Sequence, residues 1–228
     1  MIPGVDTNHW EGAVDSQVMA SRGIKFNLAK LTDFGSATKK GFVDSQFDNT
    51  YQGHREHGIK IGGWHWLQPG VDPTVQARWY LDNWFKYKMN LPPCLDFEDA
   101  NFSTPTDYLW RAQVWLDLVE KATGQVPIVY TANWFMNKFD RSKVGWLAKY
   151  PLWLAQYTWM QAPPNVPYPW TDWIIWQYTD QGDGRYYGCE GRAIDMDYAK
   201  DSFIPVESAP FRRKYIHWYS GIIPFKMR

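Results

Sequence analysis

Cys94-Leu95-Asp96-Phe97-Glu98, with Thr104-Pro105 next opening a long run that stops at Gly124, is the stretch whose reading decides the fold. Side chains along a strand face opposite sides in turn. Cys94, Asp96 and Glu98 therefore share one face, and Leu95 and Phe97 share the other. The following run reads as a helix, with Thr104 as N-cap, Pro105 at the first helical position and Gly124 as the stop. Strands alternating with helices of this kind indicate a parallel sheet.

Outward from this unit, short apolar runs recur at 2–6, 24–30, 59–66, 94–98, 126–131, 152–157, 173–179 and 193–197, which makes eight candidate strands. Helical stretches separate the earlier ones, at 44–57, at 72–88 (Asp72 as N-cap, then Pro73) and at 104–122. Eight such strands point to an α/β barrel of the (β/α)8 type. The last third is too tightly spaced for the full pattern. Pro163, Pro164, Pro167 and Pro169 forbid a regular helix there, and glycines crowd the chain from Gly182 to Gly191. The expectation is a modified TIM-type barrel, (β/α)5(β)3-like, with about five helices in the first two-thirds. The barrel is expected over 1–204. Residues 205–228, basic and then aromatic, read as a packed tail, a linker remnant or an assembly contact.

In a barrel the apolar Leu95 and Phe97 turn to the helices, and the acids turn inward near the C-terminal rim where barrel active sites lie. Alternate Cα atoms are roughly 6–7 Å apart. Carboxylates that close resist ionising together, so one pKa rises. A protonated carboxyl beside an ionised one is what glycoside hydrolysis uses, one to protonate the leaving oxygen and one to stabilise positive charge. Asp6 ends the first strand and Asp195 lies in the last, and a closed barrel makes those strands neighbours. Glu98, Asp96, Asp6 and Asp195 are the candidate catalytic set.

Composition narrows the class. The 24 basic and 24 acidic side chains cancel, which argues against nucleic acid as a partner. No segment approaches the run of about 20 apolar residues that spans a bilayer. Aromatic residues make up 18% of the chain, with 15 Trp, and Trp offers a flat apolar face for stacking on sugar rings. Cys94 and Cys189 form no C-x-x-C pattern, and His65 alone among the histidines lies at a strand end, so no metal or cofactor is expected. Residues 1–6 lack the basic-then-apolar pattern of a secretory signal.

Taken in order, Gly4-Val5-Asp6, Phe26-Asn27-Leu28-Ala29-Lys30, Gly63-Trp64-His65-Trp66, Leu91-Pro92-Pro93-Cys94-Leu95-Asp96-Phe97-Glu98, Ile128-Val129-Tyr130, Trp153-Leu154-Ala155-Gln156-Tyr157, Trp176-Gln177-Tyr178 and Ile194-Asp195 carry a resemblance. Over about residues 3 to 203 the chain resembles the lysozymes of glycoside hydrolase family 25, the N-acetylmuramidases of bacteria, fungi and phage lysins. The resemblance implies an eight-stranded barrel with about five helices. It implies cleavage of the β-1,4 bond between N-acetylmuramic acid and N-acetylglucosamine in peptidoglycan, outside the cytoplasm. Glu98 would be the general acid/base and Asp96 its stabilising partner, flanked by Asp6 and Asp195. Lys30, His65, Trp66, Tyr130, Tyr157 and Gln177 would contact substrate. The chain departs from the family's Lys-Ala-Thr-Glu-Gly-like run at Lys30-Leu31-Thr32-Asp33-Phe34-Gly35. Two other readings compete: a chitinase-like enzyme acting on N-acetylglucosamine polymers, and a non-catalytic sugar-binding or virion structural module.

Overall fold

The computed structural model describes residues 1–157 and 164–203. The expected tail at 205–228, and its assembly contact, lie outside the described residues, as do 158–163. Among the described residues nine strands form one sheet: β1 (Ile2–Thr7), β2 (Phe26–Phe34), β3 (Gly41–Val43), β4 (Lys60–Trp66), β5 (Cys94–Asp96), β6 (Ile128–Ala132), β7 (Leu152–Ala155), β8 (Ile175–Asp183) and β9 (Ala193–Ala199). Their order is β1-β9-β8-β7-β6-β5-β4-β2, and β1 also pairs with β2, which closes an eight-stranded barrel. The short β3 folds back antiparallel on the end of β2 and is an addition to the expected set.

Six α-helices lie between Ser16 and Val144: α1 (Ser16–Ser21), α2 (Phe47–Glu56), α3 (Pro73–Trp84), α4 (Pro105–Thr123), α5 (Asn133–Met136) and α6 (Arg141–Val144). The last two are four residues each, single turns that no periodicity could announce. The longer helices start where the caps were read. Asp72 accepts from the Thr74 and Val75 amides, Thr104 accepts from the Asp107 amide, and Gly124 ends α4 in the left-handed conformation at φ 70.

The last strand departs from the parallel run of the helix-linked strands: β9 runs antiparallel to both β1 and β8. Only residues 184–192 join β8 to β9, fewer than the dozen or so a parallel crossover needs. The reversal brings the start of β9 to the rim where the other strands end. Asp195, near the start of β9, consequently pairs with Asp6, near the end of β1.

Alternation then sorts side chains into two layers. Leu95, Phe97 and Val129 pack outward with Tyr80, Tyr108, Trp115 and Leu116 of α3 and α4. Phe26, Trp64, Cys94, Ile128 and Trp153 fill the inside of the barrel. Val5, Ile194 and Met196 turn outward onto Met19 of α1, so their neighbours Asp6, Asp195 and Asp197 turn in. Among the described residues no helix is long and apolar enough to cross a membrane.

Candidate active site

The four acids read from the sequence meet at one rim. Asp6, Asp96, Glu98 and Asp195 line a cavity of about 120 Å³ together with Asn8, Trp64, Trp66, Tyr130 and Trp153. Glu98 and Tyr130 also line an adjoining cavity of about 470 Å³, walled by Asn133, Trp134, Gln156 and Tyr157 among others. Glu98 thus stands where the two spaces join. The ladder of β5 ends at Asp96, and the Phe97 amide continues the pairing by donating to the Tyr130 carbonyl at 2.9 Å. That bond keeps the chain extended long enough to aim Glu98 the same way as Asp96.

Burial and like charge act together on these carboxyls. Asp96 is buried and held well above the usual carboxylate range, by desolvation first and then by Glu98, with Lys30 working the other way. Glu98 is pushed up to about 7 by desolvation, then by Asp195 and Asp99. Asp195 is pushed up to about 7 by desolvation, then by Glu11 and Asp180. Asp6 rises well above its ordinary value through desolvation and the charges of Asp195 and Asp197. Both members of the Asp96/Glu98 pair are raised, so position separates their roles. Asp96 is the floor, with Oδ1 fully buried and without a donor among the described residues. Glu98 is the member that a bond lying across both cavities can reach.

The expected substrate-contact residues divide. Trp66 and Tyr130 line the first cavity, and Tyr157, 53% exposed, lines the second. The Lys30 ammonium lies 2.7 Å from Asp33 Oδ2, with the Trp64 and Trp66 rings at 5.1 and 5.6 Å. The shortened acid of the Lys30–Gly35 run is what pins it there.

Gln177 is buried behind the acids rather than facing the cavities. Its Nε2 donates to Asp6 Oδ2 at 2.7 Å and to Asp195 Oδ2 at 3.3 Å, while its Oε1 accepts from Tyr130 and Tyr157 hydroxyls at 2.9 and 3.0 Å. Four bonds use the whole amide, so Gln177 orients the acids.

His65 is a correction. It does not line either cavity. It is 0% exposed, with Nδ1 2.8 Å from Thr32 Oγ1, Nε2 3.1 Å from Gln76 Oε1 and its ring stacked on Trp115. Trp64 and Trp66 face the barrel interior, and parity sends the residue between them to the helices.

Several site residues were not singled out from the sequence. Asp99 accepts from Trp66 Nε1 at 3.3 Å and anchors that ring. Asn133, Gln156 and Asn165 interlock beside the larger cavity: Asn133 Nδ2 and the Asn165 amide both donate to Gln156 Oε1, at 3.1 and 2.8 Å. Asp197 lies two residues beyond Asp195, so the same alternation that selected Asp195 was available to select it.

The profile of glycosyl hydrolases family 25 matches residues 5–185. The chain belongs to this family. The matched span holds Asp6, Asp96 and Glu98; Asp195 lies beyond it and reaches the family 25 site through closure of the barrel by β9. Among relatives, the uncharacterized protein YegX of Escherichia coli strain K12 is 31% identical over 185 residues, covering 79% of this chain. The chain spans 64% of the length of that relative. Lysozyme M1 of Streptomyces globisporus is 29% identical over 210 residues, 87% of this chain and 67% of its own length. Among solved structures, the bacterial lysozyme from Streptomyces coelicolor superposes with a TM-score of 0.76 at 25% identity, over 88% of this chain and 93% of that one. The family 25 glycosyl hydrolase from Bacillus anthracis gives a TM-score of 0.72 at 24% identity, over 88% and 90%.

Proposed function

We propose that this family 25 barrel is a peptidoglycan hydrolase. It cleaves the β-1,4 bond between N-acetylmuramic acid and N-acetylglucosamine, acting on cell-wall glycan strands outside the cytoplasm. The observation that carries the reading is Glu98, a carboxyl raised to about 7 at the junction of two cavities, with the deeper Asp96 beside it. A glycan strand lying through both cavities places its scissile oxygen at Glu98. Glu98 in its protonated form donates to the leaving oxygen and then, ionised, takes the proton of the incoming water. Asp96, below, stabilises the positive charge that develops at the anomeric centre and its 2-acetamido group. Asp6 and Asp195, held by Gln177, complete the wall of carboxyls. Trp66, Tyr130 and Tyr157 offer apolar ring faces and hydroxyls to the sugars, and Lys30 offers an ammonium near Asp96.

Glu98→Gln keeps the shape and removes the proton. The expected result is a folded protein whose release of fragments from purified peptidoglycan falls by at least about a hundredfold. Wild-type-like release by that variant would refute the role of Glu98. Mass spectrometry of the wild-type products tests the substrate: reducing-end muramic acid is expected. Reducing-end N-acetylglucosamine would mean a chitinase-like specificity, and no release from any N-acetylated glycan would mean a binding module.

A further inference from the structure

We propose that the larger cavity is the leaving-group subsite and takes an uncharged N-acetylated sugar, its acetamido group held between Asn133 and Gln156 and its ring against Trp134. The assignment rests on the hydrolase reading, which runs the glycan through both cavities without distinguishing them. Glu98 lines both, whereas Asp96 lines only the smaller. Asp96 stabilises charge at the anomeric carbon, so the sugar that keeps that carbon occupies the smaller cavity. The sugar that departs with the oxygen protonated by Glu98 falls in the larger one.

Hydrogen bonds fix what that cavity offers. Gln156 is pinned through its backbone, donating to the Gln177 carbonyl at 3.0 Å and accepting from Trp176 Nε1 at 2.8 Å. A backbone N–H only donates, so the Asn165 amide at 2.8 Å identifies the engaged end of the Gln156 side chain as Oε1. A carbonyl only accepts, so the Asn165 carbonyl identifies the engaged end of the Asn133 side chain as Nδ2, which also donates to Gln156 Oε1 at 3.1 Å. Flipping either amide would set donor on donor or acceptor on acceptor. The pair is left with one acceptor, Asn133 Oδ1, and one donor, Gln156 Nε2, neither hydrogen-bonded among the described residues. An acetamido group is their complement, an N–H beside a C=O. The Tyr130 and Tyr157 hydroxyl protons are already committed to Gln177.

Charge and shape agree. Among the described residues the wall of this cavity holds a single carboxyl, Glu98, and no ammonium or guanidinium. A carboxylate-bearing sugar there would face Glu98 with no counter-ion on the wall. Trp134 is 55% exposed, braced edge-on by the buried Phe135 ring at 5.6 Å, and offers a flat apolar face. The Lys138 ammonium, outside the lining, lies over that ring at 5.4 Å. Asn133 and Trp134 are consecutive at the start of α5, so acceptor and ring are presented by one turn.

The test compares kcat/KM on two glycans, both with N-acetylated muramic acid, one with N-acetylated and one with de-N-acetylated glucosamine. The wild type is expected to favour the fully N-acetylated glycan by about tenfold. Gln156→Glu keeps an acceptor oxygen for Asn165 and Asn133 but turns the free donor into an acceptor. Its preference is expected to vanish or reverse, because an ammonium then suits the wall better than an acetyl group. Trp134→Ala is expected to raise KM about fivefold on both glycans and to keep the preference. A wild type indifferent to the acetyl group, or an unchanged preference in Gln156→Glu, would overturn the proposal. Indole 15N NMR of tryptophan-labelled wild-type protein needs neither activity nor a Gln156 variant that folds. The Trp134 signal, identified by its loss in Trp134→Ala, should shift with methyl N-acetyl-β-glucosaminide and not with methyl β-glucosaminide. An unmoved signal, or equal shifts with both, means the proposal is wrong whatever the enzyme cleaves. A selective shift in a protein that releases no fragments from peptidoglycan would instead count against the hydrolase reading alone.

Discussion

Glu98 and Asp96 are two residues apart, yet Glu98 opens to both cavities and the buried Asp96 lines only the smaller one. If Glu98 must carry a proton to act, activity falls as pH rises through its pKa. The alkaline half-point of kcat/KM is therefore expected near pH 7, and Glu98→Gln residual activity should lose that limb. His65 supplies the opposite lesson. Burial pushes its imidazole down to about 3, so it is neutral wherever the protein works and adds no step to the pH profile. His65→Ala removes a ring packed on Trp115 and strands Thr32 and Gln76, at a cost of about 2–4 kcal/mol in denaturant unfolding. A sugar-contact role predicts the reverse, a raised KM with stability intact.

At the scale of elements, caps and closure carry the structure. Helix α4 brings Tyr108, Ala112, Trp115 and Leu116 down on the back of β5, and so braces the strand that presents the acids. Its C-cap Gly124 sits at φ 70 with nothing within 4 Å of where a Cβ would be. Space is not the constraint there; backbone conformation is. Gly124→Ala is expected to cost about 1 kcal/mol in thermal or urea unfolding with kcat unchanged. A neutral result would mean α4 ends without help from its glycine. Gly4 is limited by space instead, since a Cβ would run into the Phe26 ring in the barrel interior.

For the whole molecule, the site is a store of unfavourable charge. Asp6, Asp96, Glu98, Asp195 and Asp197 are all raised in the fold. In the unfolded chain they titrate near pH 4. Between about pH 4 and their folded values, the unfolded chain releases protons that the fold retains, so stability falls as pH rises through that window. His54 and His65 are lowered to about 4 and about 3, and lose stability in the other direction as pH drops below about 6.5. Five raised carboxyls outweigh two lowered imidazoles. The thermal midpoint is expected to be several degrees higher at pH 5.5 than at pH 8. A midpoint higher at pH 8 would mean the site acids are ionised at no cost.

What local rules could read, they read well. Alternation along 94–98, a threonine or aspartate before proline, and glycine after an amphipathic run are short-range physics, and they located the inward acids, the starts of α3 and α4 and the end of α4, while α3 stops at Trp84, short of the expected 88. Parity even held the information that His65 turns away from Trp64 and Trp66 and that Asp197 shares the face of Asp195. What no local rule contains is which way β9 runs, because that depends on a connection too short to cross the barrel. Only closure set Asp195 against Asp6 and buried Gln177 behind them. Residue type and spacing determined which groups face inward. Burial and mutual distance, which only the tertiary structure sets, decided which of them carry charge.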